Sequence, residues 1–90
     1  MIPDFHIKLK EVECPWNAKG KVIREIIQES DGKRIETLEG VKIFQDNGWV
    51  LVLPDAERPV CKVISEGYSE EFAEELSSIY VNKIREISRY

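Results

Sequence analysis

The chain has 90 residues, 42% of them hydrophobic and 33% charged, with a formal net charge of −4. That length suggests one domain, and that composition fits a globular domain rather than a disordered tail. The acidic balance argues against phosphate-backbone binding, the length of the apolar runs against a membrane span, and the single histidine with two unpaired cysteines against a four-ligand zinc site.

At the N-terminus Phe5, Ile7 and Leu9 alternate with His6, Lys8 and Lys10, the period-2 pattern of a half-buried strand. This is not the pattern of a signal peptide, and a cytoplasmic location is the default expectation. Val12 falls out of phase, which predicts a bulge or strand end near Glu11. His6 lies on the polar phase and is expected to be solvated. Pro15 disfavours helix at Cys14, and Asn17 is the expected N-cap of a helix carrying Val22, Ile23, Ile26 and Ile27 on one stripe. Trp16 is expected to be a core aromatic at the helix entrance, and Gly20 to permit close approach to a sheet. Cys14 and Cys61 are expected to be reduced, partly buried thiols.

Ser30-Asp31-Gly32 is a turn signal, followed by a short strand over Arg34–Leu38. The stretch Val41–Gly67 then organises the chain. Strands are expected at Val41–Gln45, Trp49–Leu53 and Val60–Ser65. The first two are joined by a tight hairpin at Asn47-Gly48, read as a type I′ turn with positive φ at both central residues. The last two are joined by a polar loop, Pro54-Asp55-Ala56-Glu57-Arg58-Pro59. Trp49, Leu51 and Leu53 share one face and Val50 and Val52 the other, so this strand is central or lies at an interface. Ser69 is the expected N-cap of a long helix with Glu70 and Glu71 in its first turn. Phe72, Leu76, Ile79, Tyr80, Ile84 and Ile87 form its apolar stripe, and Lys83, Arg85 and Arg89 its basic end. The order β-α-β-β-β-β-α predicts an α+β two-layer sandwich: a four- to five-stranded, mainly antiparallel sheet with two helices on one face.

Glu39-Gly40-Val41-Lys42-Ile43, Gly48-Trp49-Val50-Leu51-Val52-Leu53-Pro54, Glu57-Arg58-Pro59 and Ser65-Glu66-Gly67 together resemble the C-terminal domain of the α-D-phosphohexomutases, the phosphomannomutase and phosphoglucomutase enzymes. The segment Cys14-Pro15-Trp16, Lys19-Gly20 and Val22-Ile23-Arg24 is similar to the variant of this domain that forms the tail of mannose-1-phosphate guanylyltransferase-type fusions. The resemblance covers nearly the whole chain and implies a TBP-like fold and a single domain, residues 1–90, taken from a larger chain.

It also implies that Pro54–Pro59 is equivalent to the family's phosphate loop, Arg-Pro-Ser-Gly-Thr-Glu-Pro. Pro54 and Pro59 match that loop's prolines. Leu53 stands for its Arg, Asp55 for Ser, Ala56 for Gly, Glu57 for Thr and Arg58 for Glu. Two carboxylates replace groups that donate to an anion, so the loop is expected to be degenerate. The family's nucleophilic serine and magnesium loop lie in other domains. No catalytic residue, metal ligand or cofactor is therefore expected in this chain, and the parent mutase or transferase is expected to use magnesium. The implied partners are the remaining domains of the parent and, weakly, a sugar phosphate; neither nucleic acid nor membrane is expected. The alternative is a dimerisation or interdomain module without ligand, built on the two-faced strand Trp49–Leu53 with Trp16 and Tyr90.

Overall fold

A computed structural model describes residues 5–37 and 39–89. Leu38, the last residue of the expected Arg34–Leu38 strand, and Tyr90, one of the aromatics assigned to an interface, lie outside the described residues. The elements are β1 (His6–Glu13), a 3₁₀ turn (Trp16–Ala18), α1 (Lys19–Glu29), β2 (Ile35–Glu36), β3 (Val41–Gln45), β4 (Gly48–Pro54), β5 (Val60–Gly67) and α2 (Glu70–Ser88). The five strands pair antiparallel in the order β1-β5-β4-β3-β2, and β4 is central. Helix α2 lies over β1 and β5, α1 reaches β3, and the two helices touch. The α+β sandwich expected from the sequence is the observed fold.

The core forms between helices and sheet. Val41, Ile43, Val50, Val52, Cys61 and Val63 point at the helices and are fully buried, against Val22 and Ile26 of α1 and Leu76, Tyr80 and Ile84 of α2. Val50 and Val52 thus lie on the covered side and Trp49, Leu51 and Leu53 on the other, as their alternation predicts. Ser69 caps α2, its Oγ accepting from Phe72 N at 3.1 Å, and Ser65 Oγ donates to Ala73 O at 2.6 Å, tying β5 to α2 inside the core.

β1 departs from its sequence reading. It runs unbroken from His6 to Glu13, with continuous register against β5, so there is no bulge at Glu11. Val12 is in phase with the covered face; it is Ile7 and Leu9, 62% and 64% exposed, that face away from the helices. His6, Lys8 and Lys10 lie half-buried on the helix side. Lys8 pairs with Glu70 at 3.1 Å and Lys10 with Glu74, so the long stems lie along α2 with their charges at its edge. Alternation shows that two faces differ but not which one a distant helix will cover.

Four further expectations fail for local reasons. Asn17 is not a cap: it lies inside the 3₁₀ turn, and Ala18 precedes α1 with no side-chain cap bond. Trp16 is 55% exposed rather than a core residue. A Cβ on Gly20 would meet nothing within 4 Å, so no close approach to the sheet requires that glycine. Ile79, placed on the apolar stripe of α2, is exposed.

The hairpin turn also differs. Gln45 pairs with Gly48, so the two linking residues are Asp46 and Asn47, and no non-glycine residue among those described has a positive φ. This is not a type I′ turn. Gly48 is the first residue of β4, and it is required by proximity: a Cβ there would lie 1.9 Å from the backbone oxygen of Glu66 on β5. Gly32, after α1, does adopt the left-handed conformation, at φ +86°.

Candidate functional site

The loop between β4 and β5 begins at Pro54, which ends β4 opposite Cys61, and closes at Pro59, whose carbonyl accepts from Cys14 N at 2.8 Å. Asp55 N donates to Val60 O at 3.0 Å and Val60 N to Arg58 O at 2.8 Å. Ala56, Glu57, Arg58 and Pro59 are exposed at the tip.

Asp55 holds the tip together. Its Oδ1 accepts from the backbone amides of Glu57 at 2.7 Å and Arg58 at 3.0 Å, an Asx-type turn. Its Oδ2 lies 3.4 Å from Arg58 Nη2 and 3.6 Å from Lys62 Nζ, and the side chain is only 12% exposed. The Glu57 amide, aided by that of Arg58 and by the Arg58 and Lys62 charges, pulls the Asp55 carboxyl down to about 2 against a partial opposing push from burial. The loop therefore converges two amides and two cations on one point, and its own carboxylate occupies that point.

Arg58 is engaged from the other side as well. Its Nη2 and Nη1 donate to Glu11 Oε2 at 2.6 Å and Oε1 at 3.5 Å, a two-pronged pair with β1. The Glu11 carboxylate is the main reason the guanidinium is held above its ordinary pKa, with Asp55 adding to the effect. The pair is exposed, so it fixes direction more than it stabilises.

Beneath the loop lies Lys19, buried at the start of α1. Its Nζ donates to Asp55 O and, at 2.6 Å, to Arg58 O, and sits 3.7 Å from the centre of the Trp16 ring. The exposed Trp16 is thus the lid of a cation site rather than a staple. Lys19 and Glu11 carry the loop's geometry, yet sequence reasoning gave neither a role. For Lys19 a signal exists, the i, i+3 spacing from Trp16 across the first helical turn. Glu11 becomes visible only once β1 is known to lie beside β5.

Cys14 and Cys61 are fully buried free thiols behind the loop. Burial, reinforced by the neighbouring Cys14, pushes the Cys61 thiol up to about 12, which makes it a poor nucleophile. Among the described residues no group of three or more His, Cys, Asp and Glu is placed to hold a metal ion. No described helix is long and apolar enough to cross a membrane. A further cavity of about 620 Å³ lies beside the loop, between Pro54 and the Lys19–Gln28 face of α1, and is open and largely apolar.

No protein-family model matches the chain. Curated relatives do. A probable phosphoglucosamine mutase of Methanopyrus kandleri is 36% identical over 87 residues, covering 93% of this chain and 19% of the relative. A phosphoglucosamine mutase of Methanococcus maripaludis is 32% identical over 89 residues, covering 93% and 20%. A phosphopentomutase of Thermococcus kodakarensis is 28% identical over 93 residues, covering 96% and 21%. The chain thus spans about a fifth of the length of the relatives it matches. Over nearly all of its own length, this α+β domain is a homologue of one segment of the sugar-phosphate mutases of the α-D-phosphohexomutase type.

Proposed function

We propose that the chain acts as the C-terminal accessory domain of a sugar-phosphate enzyme of the phosphohexomutase type, closing over a substrate bound by other domains, and that its own phosphate loop is degenerate. One observation supports this most: the amides of Glu57 and Arg58, the donors such a loop would offer to a phosphate, are bonded to Asp55 Oδ1. An incoming phosphate would have to displace a carboxylate held by two amides and flanked by Arg58 and Lys62, and would then lie beside Asp55 and Glu57. The domain alone is expected to bind sugar phosphate weakly or not at all, and to catalyse nothing. Nucleophile and magnesium would come from the rest of the parent, and no step of that chemistry runs through residues of this chain.

The names of the relatives favour a mutase parent, with an amino-sugar phosphate as the first substrate to try. A guanylyltransferase-type fusion is the second context, favoured by the Cys14–Arg24 segment alone. Titration with glucosamine 1-phosphate, followed through the amide NMR shifts of Asp55–Arg58, tests the reading. The expected result is no saturation below millimolar ligand; saturable submillimolar binding centred on these amides would overturn it.

A further inference from the structure

On the sheet, Cys61 of β5 lies directly opposite Val12 of β1, and the two backbones stay together past the end of β1, where Cys14 N donates to Pro59 O at 2.8 Å. Side chains alternate across a sheet, so Cys14 projects on the same side as Val12, and Cys61 projects there too, beneath the helices. The two cysteines are thus diagonal neighbours on adjacent strands. Both are fully buried in one apolar cluster. Cys14 Sγ reaches the Pro15 carbonyl oxygen only at a slack 3.9 Å. For the Cys61 thiol, the largest influence after burial is Cys14 itself.

We propose that Cys14 and Cys61 are a cross-linking site: when oxidised they form a disulfide that ties the end of β1 to the start of β5 behind the loop. Cys14 leads into Trp16 and Lys19, and Cys61 follows Pro59 and Val60. The bridge therefore joins the segment that carries Lys19 to the loop whose carbonyls Lys19 holds. The proposal is independent of how that loop treats phosphate.

As the S–S bond forms, the two thiols lose two protons and two electrons. Glutathione disulfide is the oxidant and leaves as two glutathione thiols, by way of a mixed disulfide from which the second cysteine displaces glutathione. Both sulfurs are shut from solvent and Cys61 is protonated at neutral pH, so exchange waits until the corner opens. The bridge is then formed during folding under oxidising conditions, and is slow to exchange once the chain is folded. It closes a ring of roughly 47 residues, which raises the folding equilibrium constant by at most roughly a thousandfold. A diagonal pair stands further apart than a directly opposed one, and strain offsets part of that gain.

The chain has two cysteines, so an intramolecular disulfide can only be this one. The test equilibrates the chain with glutathione and glutathione disulfide at several ratios, once folded and once in urea, approaching equilibrium from both the reduced and the bridged form. Samples are quenched by alkylation and weighed by mass spectrometry, which separates the unalkylated bridged chain from the doubly alkylated dithiol. The ratio of bridged to reduced chain is expected to be at least roughly tenfold higher in the folded chain than in urea at the same glutathione ratio. By linkage, urea melts of the bridged and reduced chains should show the bridged form more stable by the same factor. A ratio no higher folded than unfolded, mixed disulfides or cross-linked pairs of chains in place of the bridge, or a bridged chain no more stable than the reduced one would each overturn the proposal.

Discussion

β4 is closed at its start by backbone packing and at its end by side-chain charge. At Gly48 the strand leaves the Asp46–Asn47 turn so close to β5 that a Cβ would strike the Glu66 carbonyl. At Pro54 it opens into a loop whose shape is held by polar groups: Asp55 on two amides, Lys19 on two carbonyls, Arg58 on Glu11. The first end tolerates no change of volume and presents no chemistry. The second uses its donors internally, the amides of Glu57 and Arg58 and the charges of Arg58 and Lys62 all meeting Asp55.

Gly48→Ala gives the largest expected effect, a loss of about 3 kcal/mol or more, because the atom met is backbone and cannot swing aside. A chemical-denaturation midpoint equal to wild type would show that this end is looser than described. Lys19→Met keeps the stem but removes the ammonium from two carbonyls, and should cost about 2 kcal/mol. It should also broaden the amide signals of Asp55–Arg58 while leaving those of Gln45–Trp49 unchanged; a uniform change over both ends would erase the contrast between them. Gly20→Ala is the control. With nothing near its Cβ and helical surroundings, it should stabilise by roughly 0.5 to 1 kcal/mol.

The smallest effect is a pH dependence. Asp55 titrates near 2 in the folded chain, below the ordinary 3.8, so the stability it contributes is fully present above pH 3.8 and is lost as pH falls toward 2. Asp55→Asn keeps an acceptor for the amides without the charge. Wild type should therefore exceed the variant in stability at neutral pH, and the two should converge through that acid window. Parallel stability curves down to pH 2 would mean the carboxylate is not held as described.

Much of this architecture is legible locally. The Ser69 cap, the Val50/Val52 phase, the Gly32 turn and the positions of Pro54 and Pro59 each follow from a few consecutive residues, because capping, pleat and φ limits act over that range. The failures are non-local. Which face of β1 is covered depends on where α2 lands, 57 residues after that strand ends. The Asn-Gly pair satisfies a hairpin rule, yet the strand pairing shifts the turn by one residue and gives the glycine another task. At the loop, composition alone shows two carboxylates and one guanidinium between two prolines. That Asp55 turns inward onto the amides, and that Lys19 and Glu11 hold the backbone and Arg58, requires the register of β1 on β5 and the position of α1.

The occupancy of the loop by Asp55 is read out in one NMR experiment that follows the backbone amides of Glu57 and Arg58 while first pH and then inorganic phosphate is varied. The self-occupied loop predicts that both amides shift with a midpoint near pH 2, as the Asp55 carboxylate protonates and releases them, and that at pH 7 added phosphate moves them little. Amides that ignore the acid titration but saturate with phosphate at neutral pH would contradict it.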